Sequence, residues 1–163
     1  MTSRERLQAA LEHREPDRVP VDMGGSLTTG IMVTTYAKLR RKLGFNDRPP
    51  KVNDLLQMLA EVELPLLEKL GCDVVPLFPR GRFFGIPAEN WKPWTTFDGT
   101  EVLVPGGFSY LVDETGGLLL SPGGDTSRSP SGRMPKDGYY FDILVRQQPL
   151  DWDHLDPAEF AEQ

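Results

Sequence analysis

Leu64-Pro65-Leu66-Leu67-Glu68-Lys69-Leu70-Gly71-Cys72-Asp73-Val74-Val75-Pro76-Leu77-Phe78 is the stretch on which the reading of the fold turns. Its leucines recur at helical spacing, Gly71 is a residue that ends helices, and Asp73 to Phe78 is a short apolar run of strand type. Helix, glycine, then apolar strand is the signature of an αβ unit, and repeating it predicts a parallel sheet. Upstream, Asn53 is a good N-cap, and Leu55, Leu56, Leu59, Val62, Leu66, Leu67 and Leu70 form one broad apolar face. The spacing therefore predicts a helix from Asn53 to about Leu70, kinked or split at Pro65, which removes a backbone donor.

Further toward the N-terminus, Thr2 and Glu5 have the spacing of a capping box, and Leu7, Ala10 and Leu11 follow at helical intervals. Pro16 ends that pattern. Val19 to Met23 reads as a short extended run stopping at Gly24-Gly25. A second helix is expected from about Gly30 to Leu43, with Gly44 just beyond its last turn, and the Pro-rich linker 45–51 follows. Beyond residue 80 the pattern changes to strands. Trp94 to Phe97, Asp98-Gly99 and Thr100 to Val104 give a hairpin signal. Phe108 to Val112 and Leu118 to Leu120 read as a second pair around Asp113 to Gly117. Residues 121–138, dense in Ser, Gly and Pro, are expected to be a mobile loop, and Asp156-Pro157 marks a helix start in the tail.

The totals narrow the function classes. The chain has 163 residues with 39% hydrophobic, 16 Gly and 15 Pro, the balance of one folded, loop-rich domain. A net charge of −6 and the lack of basic runs other than Arg40-Arg41-Lys42 argue against nucleic acid as a partner. That cluster reads as a solvated helix end complementing the macrodipole or as an anion site. A single cysteine, Cys72, fits a reducing compartment. No apolar stretch approaches the ~20 residues that span a bilayer, so a cytoplasmic location without membrane contact is expected.

Three segments carry a resemblance. They are Arg4-Glu5-Arg6-Leu7 through Glu15-Pro16-Asp17-Arg18-Val19-Pro20-Val21-Asp22 with Gly24-Gly25, then Leu64 to Pro76 with Leu70-Gly71-Cys72-Asp73, then Met134-Pro135-Lys136-Asp137-Gly138-Tyr139-Tyr140-Phe141-Asp142. In this order they resemble the uroporphyrinogen decarboxylase superfamily, and they are most similar to the branch of zinc-dependent methyltransferases that work with corrinoid proteins. The resemblance implies an α/β fold: a partial (β/α)8 TIM-type barrel of N-terminal βα units plus an antiparallel β-hairpin insertion. A whole barrel needs about 200–250 residues or more, so the chain is expected to be one incomplete domain. Its βα part would span 1–80, the hairpin and loop insertion 81–150, and the start of a helix 151–163. Zinc and a corrinoid partner are implied for a complete family member. Cys72, His13 and His154 are not at ligand spacing, and no zinc site within one chain is expected.

The resemblance puts the active face at the strand ends. Asp22, Gly24, Gly25 and Ser26 would line it, with Asp22 holding a polar or cationic group, or they form a tight turn with a helix cap. Arg80 and Arg82 can grip a carboxylate or cover apolar surface. Tyr140 and Asp142, within Tyr139-Tyr140-Phe141-Asp142, offer an aromatic wall for a flat ligand or the packing face of a strand. Decarboxylases of this superfamily have an Arg-rich signature after the first strand and an acid after the second. Residues 22–31 contain no Arg and residues 77–82 no acid. The expected function is thus the N-terminal part of a methyltransferase acting on a corrinoid or thiol acceptor, inactive alone. Its partner would be a second copy, a C-terminal half-barrel chain or a corrinoid protein. A non-enzymatic oligomerising module and a decarboxylase-like lyase are the alternatives.

Overall fold

A computed structural model describes residues 1–78 and 82–145. Two helices open the chain. In α1 (Ser3–Leu11), Thr2 Oγ1 accepts from the Glu5 N–H and Glu5 Oε2 accepts from the Thr2 N–H, so the capping box forms as read. Helix α2 (Val33–Leu43) ends with Gly44 in the left-handed region, as expected, but starts at Val33 and not near Gly30.

The stretch between α2 and Gly71 departs from the long helix. Residues Val52–Asp54 form β1 and Leu59–Ala60 form β2, an antiparallel pair, and only Leu64–Lys69 is helical, as α3. Asp54 Oδ1 accepts from the Leu56 N–H at 2.6 Å and the Gln57 N–H at 3.0 Å. That side-chain turn takes up the backbone donors a helix would need and turns the chain back. The apolar spacing that looked helical serves a strand pair buried on both faces: Val52, Leu55, Met58, Leu59 and Ala60 all lie in the core. Pro65 does not kink a helix; it sits in the first turn of α3, where its missing N–H costs nothing.

Asp73 to Phe78 pairs with no other strand among the described residues. Its one ladder-like link is to Val21, whose carbonyl accepts from the Asp73 N–H at 2.8 Å and whose N–H donates to Asp73 Oδ2 at 2.9 Å. Neither Val19 to Met23 nor Asp73 to Phe78 is therefore a sheet strand. The expected partial (β/α)8 barrel is overturned: the described sheets are antiparallel. Parallel neighbours need a crossover of a dozen or more residues, whereas within each sheet here successive strands are joined by turns and loops and pair antiparallel.

The second half is the larger sheet system. Strands β3 (Lys92–Thr95) and β4 (Glu101–Val104) form the expected hairpin. Strands β5 (Tyr110–Val112), β6 (Leu118–Leu120), β7 (Gly132–Met134) and β8 (Asp142–Ile143) form a four-stranded meander in chain order. The expected loop 121–138 thus contains a strand, β7, held by Asp113 to Arg133 at 2.6 Å and by pairing to β6. Both tight hairpin loops close with a glycine at positive φ, Gly99 at 79° and Gly116 at 82°. This is the three-residue loop with a bulge, one residue longer than the two-residue turn Asp98-Gly99 suggested.

One core joins the halves. Tyr36, Val52, Leu55 and Leu66 pack with Ile86, Val102, Val104, Phe108, Leu120 and Phe141. Phe108 meets Trp94 edge-on at 5.4 Å and Phe141 at 6.2 Å. The Leu103 N–H donates to Pro50 O at 2.8 Å, and the Phe141 N–H to Leu56 O at 2.7 Å, which tie the meander and hairpin to the β1–β2 region. Arg40 is not a solvated helix end: at 2% exposure it ion-pairs with Glu63 at 2.9 Å and Asp47 at 3.0 Å.

Candidate functional site

The first two segments of the resemblance meet at an ionic junction whose centre is Asp73, a side chain with no exposed surface. Arg6 reaches Asp73 at 2.5 Å and Asp17 at 2.7 Å, while Arg18 reaches Asp73 at 2.7 Å and donates to Gly71 O at 3.0 Å. The Val21 N–H, with Ser3, Arg18 and Arg6 after it, holds the Asp73 carboxyl well below the usual carboxylate range. These residues anchor the chain entering 19–29 against the end of α3. Their spacing in sequence offered no signal of this, since the pairs are 55 and 67 residues apart.

The 22–29 segment is a loop tied by its own side chains. Asp22 Oδ1 accepts from the Gly25 N–H at 2.8 Å and Asp22 Oδ2 from the Thr29 hydroxyl at 3.0 Å. Asp22 is thus committed to the turn, but the Ser or Thr helix cap expected with it does not form: Met32 precedes α2 and makes no side-chain cap. A Cβ on Gly25 would lie 2.5 Å from Asp22 Oδ1 and 2.7 Å from Val74 Cγ1, so close packing requires glycine there. Gly24 packs against Val62 in the same way.

Beside this loop opens a cleft of about 480 Å³ lined by Gly25, Ser26, Leu27, Asn53, Asp54, Leu77, Phe78, Arg82 and Phe83. Gly25, Ser26 and Arg82 of the expected site line it. Asp22 and Gly24 stand behind it in the loop. Arg80 lies outside the described residues. Tyr140, 51% exposed, and Asp142, on β8, do not line it; the neighbouring Phe141 is a core residue and Tyr139 packs edge-on against Phe97 at 4.2 Å.

Two of the residues that give the cleft its chemistry, Asn53 and Asp54, were expected in a helix and not at the site. Asn53 and Asp54 are 3% and 1% exposed, yet Asn53 Oδ1 and Asp54 Oδ2 have no hydrogen-bond partner among the described residues, nor has Arg82 Nε. Such atoms are rare, because an unmet buried acceptor costs about 1–3 kcal/mol. Burial pushes the Asp54 carboxyl up, against the lowering effect of the Gln57 and Leu56 N–H groups and of Arg82. Burial also works against the charge on Arg82, and Glu61 and Asp54 partly restore it. Its guanidinium lies 4.6 Å from the Phe78 ring. The acid that lines the cleft, Asp54, comes from β1, which the β1–β2 turn brings beside Arg82.

Phe84, just past the cleft, has φ of 61°, an uncommon value for an aromatic residue. Its ring packs against Gly132 and meets Phe141 at 6.0 Å, and these contacts hold the turn that presents Arg82 and Phe83.

The donors present do not fit the zinc that the resemblance implies. Among the described residues no three His, Cys, Asp or Glu side chains are grouped to hold a metal, so no step is derived through one. Cys72 is half-buried and its thiol is pushed up by burial, the environment of an inert cysteine. No helix among the described residues is long and apolar enough to cross a membrane. No family model, curated protein or solved structure matches this chain.

Proposed function

We propose that the chain contributes a small-molecule cleft to a methyl-transferring enzyme, and that turnover needs a second polypeptide bearing zinc ligands and a corrinoid or thiol acceptor. The observation that carries the ligand-binding part is that Asn53, Asp54 and Arg82, each with a buried and unpartnered side-chain atom, all line one largely apolar cleft. Charged and polar groups left this way are costly to the fold, and a ligand that completes them removes that cost. The methyl-transfer part rests on the resemblance of the segments 4–25, 64–76 and 134–142 to uroporphyrinogen-decarboxylase-type methyltransferases. It gains support from the joining of residues of the first two segments, Arg6, Asp17, Arg18 and Asp73, at a single junction leading into the cleft loop.

The test is demethylation of methylcobalamin with a thiol acceptor, followed spectroscopically. We expect no turnover by the purified chain, and turnover when it is combined with a chain supplying the His and Cys zinc ligands. A combination that forms and binds zinc, yet transfers no methyl group, would refute the reaction assigned. A second reading, an oligomerising module without catalysis, is favoured by one feature: Val75 and Leu77 are exposed, Leu77 at 95%. Light scattering separates it, because it requires a stable homo-oligomer of the chain alone.

A further inference from the structure

The unmet atoms of the residues that line the cleft differ in kind, and their kinds define a ligand. Asn53 Oδ1 and Asp54 Oδ2 are acceptors, whereas Arg82 Nε is a donor on a group that stays cationic in proteins. Asp54 and Arg82 share the cleft but do not form an ion pair within 4.0 Å, so neither satisfies the other. The remaining walls, Leu27, Leu77, Phe78 and Phe83, are apolar. An ammonium group has three donors and suits the two acceptors; a carboxylate suits a guanidinium, to which it can bond in bidentate fashion. A ligand carrying only one of these groups leaves the opposite partner unmet in a buried site.

We propose that the cleft binds a small amino acid as its zwitterion, with the ammonium on Asn53 Oδ1 and Asp54 Oδ2, the carboxylate on Arg82, and an apolar side chain against Phe78 and Phe83. This names the ligand class of the same cleft and rests on the cleft reading given above, although not on methyl transfer. The zwitterion adds no net charge to a site that already holds one acid and one base. The side chain replaces water over exposed apolar surface at Phe83 and Leu77.

The experiment is calorimetric titration of the full chain with norleucine, with hexanoate, which lacks the ammonium, and with pentylamine, which lacks the carboxylate. Norleucine should bind at least about tenfold more tightly than either analogue, as expected when one charged hydrogen-bond partner is lost. Asp54→Asn and Arg82→Gln should each weaken norleucine by a similar factor, while Tyr140→Phe, outside the cleft, should leave it unchanged. Thermal melting of each variant checks that it folds; if one does not, the three-ligand comparison on the unaltered chain still decides. Equal binding of hexanoate and norleucine would overturn the ammonium site, and equal binding of pentylamine would overturn the carboxylate site. No binding of any of the three would overturn the ligand class. Norleucine binding without methyl transfer in the reconstituted assay would instead sink the reaction and leave the ligand assignment standing.

Discussion

Replacing Tyr36 with phenylalanine removes a single oxygen from the centre of the structure. Tyr36 is fully buried on α2, and its hydroxyl accepts from the Glu63 N–H at 3.0 Å and lies 3.4 Å from Glu63 Oε2. Glu63 precedes the first residue of α3, so its N–H has no intrahelical partner to fall back on. Its carboxylate keeps Arg40 at 2.9 Å and Arg48 at 2.6 Å, and therefore loses little. The loss is thus one buried backbone donor left unmet, about 1–3 kcal/mol, with the ring's packing intact. At roughly 2–4 °C per kcal/mol for a chain of this size, the melting temperature should fall by about 2–12 °C. Urea titration should show the lower midpoint with an unchanged slope. A loss below about 0.5 kcal/mol, the range of ordinary surface substitutions, would show that the hydroxyl does not hold α3 to α2. Tyr36→Ala, which also empties the space of the ring, should cost about 3–5 kcal/mol.

Three further outcomes follow from the cleft and its supports. Asp54→Asn should be no less stable than the unaltered chain at pH 7, with the difference narrowing toward pH 4, as measured by denaturation at both values. The sign follows from burial raising the folded carboxyl above its unfolded value, so its stabilising proton is lost as pH rises through that raised value. Asp73, Asp17 and Asp113 have the opposite sign: their folded values are depressed, so their contribution is present above the ordinary carboxylate range and declines as pH falls below about 4. Acid titration of Asp73→Asn should accordingly show a shallower loss of stability on that side. Gly25→Ala should cost about 1–3 kcal/mol, since its Cβ would overlap Asp22 Oδ1 and Val74 Cγ1, and it should also weaken norleucine binding if the cleft loop shifts.

Local chemistry alone determined much of this protein. The Thr2–Glu5 cap, the stop at Gly44, the β3–β4 hairpin around Asp98-Gly99 and the β5–β6 pair around Asp113 to Gly117 all formed, because each depends on groups a few residues apart. Three members of the cleft, Gly25, Ser26 and Arg82, were likewise visible as residues near turns. What tertiary structure decided was the identity of Leu55 to Val62. Their spacing satisfies a helix, but Asp54 captures the Leu56 and Gln57 N–H groups, and burial between α2, β4 and Phe141 rewards a strand pair. Burial on all sides erases the polar–apolar contrast from which period is read, so helix and buried strand look alike in sequence. Asn53 consequently passed for a helix cap and Asp54 for part of the helix after it, and their place at the cleft emerged only once the hairpin brought them beside Ser26 and Arg82. The Asp73 junction was hidden for a related reason: a buried charge is explained by its partners, and Arg6 and Arg18 come from a distant part of the chain.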